Sequence, residues 1–246
     1  MDKLIYTAMS GAKATMGQQA TVANNLANAT TTGFRAQLNR FRAVDVQSSA
    51  MHTRAFVVDD TVATDFRSGP MIKTDNTYDV AIQGTGMFAV QTPDGREAYT
   101  RNGGFTVDTN GVLRTNAGLA VVGDSGPITI PPDNGIEIGQ DGTITATPTT
   151  GARNAANAVG RLKLVDPAET DLRRGEDGLF RTTTGTPAAQ NDNVKVVGGF
   201  VEGSNVSVVE QMVSMVSLAR QFEMQTKILE TAQDDDKAAT AIIAAN

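Results

Sequence analysis

The sequence predicts an α+β fold: a β-rich central module, antiparallel and barrel- or sandwich-like, flanked by long N- and C-terminal amphipathic helices that pair with each other. Two observations at the ends and one in the middle carry this reading. Residues 4–28 and 205–232 keep an unbroken helical period, whereas the chain between them breaks into short β-branched or aromatic runs. Those runs are separated by Asn-Gly and Asp-Gly pairs, the residues that tight hairpin turns select. The expected division is a helical segment over 1–36, an extended connector over 37–75, the β-module over 76–200 and a second helical segment over 201–246.

In the first segment Ile5, Ala8, Ala12, Thr15, Gln19, Val22 and Leu26 recur at steps of three and four, with Met9, Met16, Ala20, Ala23 and Ala27 alongside. This is a narrow seam of small residues. A helix of that length reaches about 37 Å, longer than a small domain is wide, so one end should find no core of its own chain. Thr30-Thr31-Thr32-Gly33 stops it, with Gly33 as the left-handed terminator. Arg35, Arg40 and Arg42 read as a solvated face after the helix, and Gly69-Pro70 punctuates the connector.

From Tyr78 the period becomes strand-like. Asp79–Ile82, Met87–Val90, Phe105–Val107, Ala120–Val122 and Ile128–Ile130 are strand candidates, and Val159–Val165 and Val194–Val201 return the chain to the base of the module. Asp94-Gly95, Asn102-Gly103, Asn110-Gly111, Asp141-Gly142 and Asp177-Gly178 supply the positive φ of hairpin turns, and residues 145–157 read as a surface loop. The closing helix opens at Ser204-Asn205, either of which could cap it. Val208, Met212, Met215, Ala219, Phe222, Thr226 and Leu229 then step by four and three, widened by Val209, Val213 and Val216. This bulkier seam can interdigitate with the small-residue seam of the first helix.

Composition narrows the function. A formal charge of −6 argues against a nucleic-acid partner, which needs clustered Lys and Arg. No apolar run approaches the roughly 20 residues that span a bilayer, so direct membrane insertion is not expected. The absence of cysteine excludes disulfides, thiolate metal sites and cysteine nucleophiles. A cleaved secretory signal is not expected either, because Asp2 spoils a basic n-region and Leu4–Met9 is too short for an h-region.

No set of residues assembles an acid, a base and a nucleophile, so the chain does not read as an enzyme, and neither cofactor nor metal is expected. His52 is the single histidine and reads as a surface residue. Gly84-Thr85-Gly86-Met87-Phe88-Ala89 fits the dinucleotide fingerprint formally, but a strand follows where a helix N-terminus would be required. Asp234-Asp235-Asp236 cannot converge on a cation, since consecutive helical residues point apart. Asp108-Thr109-Asn110-Gly111 lacks the alternating ligands of a calcium loop.

Ile5-Tyr6-Thr7-Ala8-Met9-Ser10-Gly11-Ala12, Ala23-Asn24-Asn25-Leu26-Ala27-Asn28 and Thr32-Gly33-Phe34-Arg35 closely resemble the N-terminal signature of bacterial flagellar rod and hook proteins. Tyr78–Gly84 and Tyr99–Gly103 look like the first β-module of that axial family, and Glu202-Gly203-Ser204-Asn205-Val206 with Arg220–Met224 looks like its closing helix. Residues 2–12, 160–164 and 174–181 look most like a rod member, leaving distal-rod and hook subunits as the relatives to distinguish. Thr31-Thr32 departs from the family, where proline is frequent before the glycine.

The resemblance implies a structural subunit of the proximal rod, exported by the flagellar type III apparatus without cleavage and added to the rod in the periplasm. Its partners would be other rod subunits and further copies of itself, and its terminal helices would form an inner, torque-transmitting tube through head-to-tail contacts. Ile5, Ala8, Ala12, Val22, Leu26, Phe34, Val208, Met212, Met215, Ala219, Phe222 and Leu229 are the expected packing residues. Asn24, Asn25 and Asn28 would set register or cap the helix, and Gly33 and Glu202–Asn205 complete the signature. In the isolated subunit the terminal seams lack partners, so both ends should order on assembly. The competing class, a secreted glycan-binding β-module, would need an exposed aromatic platform, and only 5% of the residues are aromatic, with no Trp.

Overall fold

The computed structural model describes residues 2–45, 55–132, 134–148 and 157–244, and the chain divides into two compact units. The first comprises Met1–Ala29, Ala36–Asp65 and Val206–Asn246; the second comprises Thr30–Arg35 and Phe66–Asn205.

In the first unit lie helix α1 (Asp2–Ala27), strands β1 (Gln37–Asp45) and β2 (Ala55–Thr64), and helix α2 (Val208–Ala244). Much of the expected connector is therefore paired structure. β1 and β2 run antiparallel from Gln37 opposite Thr64 to Asp45 opposite Ala55, with a register shift between Arg40 and Phe41. The β-branched run Val57, Val58, Thr61, Val62 and Thr64 explains the strand, although acidic residues interrupt its alternation. His52 and residues 149–156 of the expected loop lie outside the described residues; the flanks of that loop are strands.

Both helix boundaries near the signature residues differ from expectation. α1 ends at Ala27, where the Asn28 amide side chain donates to the Asn24 carbonyl at 2.9 Å and the Asn28 N–H reaches Asn25 O at 3.1 Å. Asn28 thus satisfies the end of the helix, and Gly33 serves elsewhere. α2 begins after Ser207, whose Oγ accepts the Glu210 N–H at 3.4 Å, so Ser207 takes the capping position expected of Ser204 or Asn205. It continues past residue 232 through an alanine-rich stretch of high helix propensity.

The second unit begins with β3 (Met71–Lys73), β4 (Val80–Gln83), β5 (Met87–Gln91), β6 (Glu97–Thr100), β7 (Phe105–Val107), β8 (Leu113–Thr115), β9 (Ala120–Gly123) and β10 (Gly126–Pro127). It continues through β11 (Asn134–Ile138), β12 (Thr143–Pro148), β13 (Asn157–Arg161), β14 (Leu164–Val165), β15 (Leu172–Arg174), β16 (Phe180–Thr182), β17 (Lys195–Gly198) and β18 (Phe200–Glu202). The main sheet follows the order β15-β16-β6-β5-β9-β8-β7, with β10 on β9 and β14 on β5; β11-β12-β13 form a second sheet, and β17 pairs β4 while β18 pairs β3. All named pairings are antiparallel. The main path has two free ends, so among the described residues no closed barrel forms.

β5 is buried on both faces, which is why its sequence reads as a continuous apolar run. Phe88 points into a cluster with Phe105, Leu113, Ile144 and Leu164, and the Phe88 and Phe105 rings meet edge-on at 5.2 Å. Met87 and Ala89 face the other way, against Tyr99, Val165 and Phe180. Hairpins repeat one five-residue turn, seen at Thr92–Arg96, Asp108–Val112, Thr115–Leu119, Gly139–Thr143 and Gly175–Leu179. In each, the first N–H donates to the fifth carbonyl and the N–H of the fourth residue, a glycine at φ of +78° to +83°, donates back to the first. Asn102-Gly103 is the exception: a Cβ on Gly103 would lie 1.7 Å from the Val80 carbonyl oxygen, so close approach of two backbones, not a turn, selects glycine there. The candidate Ile128–Ile130 contributes only a bridge from Thr129 to Val112, and Val194–Val201 is split into β17 and β18 at Gly199.

Candidate functional site

The segments by which the chain enters and leaves the second unit meet at a buried ionic cluster. Glu202 ends β18; Arg101 follows β6; Arg35 follows the turn after α1. Glu202 Oε1 lies 2.7 Å from Arg35 Nη1 and also accepts the Gly69 N–H at 2.9 Å, while Oε2 lies 2.6 Å from Arg101 Nε and 2.5 Å from Arg101 Nη2. The three side chains are 3%, 2% and 1% exposed, so each charge must be met inside the protein. Arg101 spends its remaining donors on the carbonyls of Gly86, Gly84 and Ile82, at 2.7, 2.9 and 3.3 Å. Burial pushes its guanidinium below the ordinary value; the Glu202 carboxylate opposes that, and the like charge of Arg35 adds to it.

Backbone bonds hold the same place together. The Gly33 N–H donates to the Glu202 carbonyl at 2.7 Å and the Gly203 N–H to the Pro70 carbonyl at 2.8 Å. The Arg67 carbonyl accepts from Arg35 Nη1 at 2.5 Å and from the Asn205 side-chain amide at 2.9 Å. Arg174 donates to the Arg35 carbonyl at 2.8 Å and lies over the Phe34 ring at 4.5 Å, closing a lid of charge and hydrocarbon on a phenyl only 6% exposed. Gly33 has φ of +69°, and a Cβ there would fall 2.3 Å from the Asn102 nitrogen.

Six signature residues, Gly33, Phe34 and Glu202 to Asn205, therefore converge in the second unit, while Asn24 to Asn28 lie at the end of α1 and in its turn. Within the first unit Asn25 is buried and holds the edge of β1 with two bonds, accepting the Gln37 N–H at 2.8 Å and donating to the Gln37 carbonyl at 2.9 Å. Arg35, expected on a solvated face, is buried instead, because Glu202 offers it a carboxylate; Arg40 is exposed. Arg101, Arg174 and Gly69 were not singled out as site residues. The one local cue was Arg35 following Gly33-Phe34, since a glycine forced to positive φ marks a segment held in place.

Along the helices, Ile5, Ala8, Val22 and Leu26 are half-buried and Ala12 is buried; Thr15 Oγ1 lies 3.2 Å from Gln225 Oε1. On α2 the inward positions are Gln211, Met215, Leu218, Phe222, Gln225, Leu229 and Ala232, stepping by four and three, with Ala219 beside them. Val208 and Met212, expected on that seam, are exposed, Met212 at 53%. With Val209, Val213, Val216, Met224 and Ile228, which are exposed too, they spread over the side of α2 that the inward row leaves open. α1 likewise carries exposed Met9 and Met16. Among the described residues no helix is long and apolar enough to cross a membrane. Gly84–Ala89 runs directly into β5, and Asp108 accepts N–H groups of Asn110 and Val112 and the Arg114 guanidinium within its turn.

Comparison with known proteins gives matches over three separate stretches. Residues 5–35 match the family described as flagella basal body rod protein, residues 81–146 the flagellar hook protein FlgE/F/G D1 domain, and residues 197–242 the flagellar basal body rod FlgEFG protein C-terminal family. The chain is 46% identical over 241 residues to the flagellar basal-body rod protein FlgF of Escherichia coli (strain K12), covering 96% of each chain. It is 43% identical over 249 residues to FlgF of Salmonella typhimurium (strain LT2), covering 99% of each. To the rod protein FlgG of Buchnera aphidicola subsp. Schizaphis graminum it is 32% identical over 233 residues, covering 85% of this chain and 88% of that one.

Proposed function

The chain belongs to the FlgF family of flagellar basal-body rod proteins, and on that premise we infer that it acts as a structural subunit of the proximal rod. Structural work in the flagellar basal body, in company with other axial and rod proteins and without enzymatic chemistry, follows from the family itself. The 46% and 43% identity to FlgF of Escherichia coli and Salmonella typhimurium, against 32% to FlgG of Buchnera aphidicola, supports the rod position of the former.

The observation that carries the finer reading is the double apolar patterning of α2. One stripe is turned inward and half-buried, the other exposes large aliphatic side chains at helical spacing. Exposed aliphatic patches of this kind fit burial against neighbouring subunits. We propose that α1 and α2 work as a pair, that their outward stripes pack against other rod proteins and further copies of this chain, and that the resulting tube transmits torque. The subunit reaches the periplasmic rod through the flagellar type III apparatus, keeping its N-terminus. In this arrangement the β-rich unit supplies a stiff body, and the buried cluster at Glu202 fixes both points where the chain passes into the helical segments.

Deleting the gene and imaging the cell envelope by electron cryotomography, with complementation as control, tests the assignment. A rod truncated within the periplasm and bearing no hook is expected. Intact flagella in the deletion strain would refute it.

A further inference from the structure

The cluster of Arg35, Glu202 and Arg101 is unequal in charge: two guanidiniums share one carboxylate, and none of the three side chains is more than 3% exposed. Glu202 lies between them, one oxygen on each arginine. Without its charge, two like charges would face each other in surroundings that screen them poorly, with only the weaker attraction of Asp166 for Arg101 remaining. The two arginines differ in what else holds them. Arg101 keeps three carbonyls, those of Ile82, Gly84 and Gly86, which belong to β4 and the turn into β5. Arg35 has the Arg67 carbonyl beside Glu202, and its Nε has no hydrogen-bond partner. Loss of the carboxylate should therefore expel Arg35 and leave Arg101 in place.

We propose that Glu202 is a charge latch: residues 30–35 dock on the β-structure of the second unit only once Glu202 is seated between the two arginines. The N-terminal exit of the unit is thereby governed by a residue at its C-terminal exit. A chain that has not yet placed residue 202 keeps the segment after α1 undocked, because Arg35 is repelled by an Arg101 already bound to the backbone of β4. Docking of both ends becomes a single event, and the Gly33 N–H bond to the Glu202 carbonyl closes with it. This inference stands on the geometry of the second unit and goes beyond the structural-subunit reading.

The test is amide hydrogen exchange on the full chain, comparing the native sequence, Glu202→Gln, and Glu202→Gln combined with Arg35→Gln. The Gly33 N–H reports docking; the N–H groups of Ala89, bonded to the Lys163 carbonyl, and Ile128, bonded to the Val121 carbonyl, report the sheet. Glu202→Gln is expected to speed exchange at Gly33 about a hundredfold while Ala89 and Ile128 keep their protection. Removing the Arg35 charge as well relieves the repulsion, so the double variant should return Gly33 to within about tenfold of the native rate. Unchanged exchange at Gly33 in Glu202→Gln would overturn the proposal. So would a double variant no better protected than the single one, which would make the cluster a matter of shape and not of charge. Equal loss of protection at Gly33, Ala89 and Ile128 would also overturn it, by making Glu202 a member of the core.

Discussion

Asp94 shows how much a single turn carboxylate is asked to do. Hydrogen bonds from Thr92 and then Arg96 lower its pKa from 3.8 to about 2. Asp108, Asp141 and Asp177 move the same way, held down first by hydrogen bonds from Arg114, Thr143 and Arg181 respectively. Each folded value lies below the unfolded one, so the stabilisation is present above about pH 4 and is lost as pH falls toward 2. Acid titration followed by circular dichroism should show the β-rich unit weakening across that window, with a shallower dependence in Asp94→Asn combined with Asp177→Asn. Gly33 works by another principle. Its φ of +69° and the 2.3 Å gap that a Cβ would leave to Asn102 both penalise any side chain. Gly33→Ala is expected to destabilise the second unit by about 3 kcal/mol, read from denaturant unfolding.

At the scale of elements, what could be read from the sequence followed the strength of the local signal. The repeated turns were legible because glycine after Asp or Asn has few other uses, and four of the five pairs sit in the same hairpin geometry. The short strands β8 and β16 were not, since Leu113–Thr115 and Phe180–Thr182 carry a central arginine where β7, equally short, has an aromatic and β-branched run. α2 was half legible. Its inward face carries Met215, Ala219, Phe222 and Leu229, all half-buried, but an apolar residue on either side of a helix looks the same to a periodicity argument, and Val208 and Met212 are exposed. That exposed side makes a prediction proper to the helix. Met212→Asp with Val216→Asp, both at exposed positions, should change subunit stability by less than about 0.5 kcal/mol. The same variant should fail to restore motility to a deletion strain, because a charge cannot be buried in an apolar contact between subunits.

For the whole molecule, the class and the helical ends followed from composition and period, whereas the meeting, within the second unit, of the segments around Arg35 and Glu202 did not. Arg35 and Glu202 are separated by most of the chain, and nothing local in Gly33-Phe34-Arg35 names a carboxylate so distant. The ionic nature of that meeting point has a thermal consequence. Hydration of charged groups becomes less favourable as temperature rises, so the penalty for withdrawing Arg35, Arg101 and Glu202 from water shrinks on warming. Apolar packing such as that of Phe88 on Phe105 gains nothing comparable. A neutral junction matched to this one at 25 °C would fall behind it in a warm cell, and the place where the second unit's entering and leaving segments are tied is built to hold best when the rest of the fold is nearest its limit.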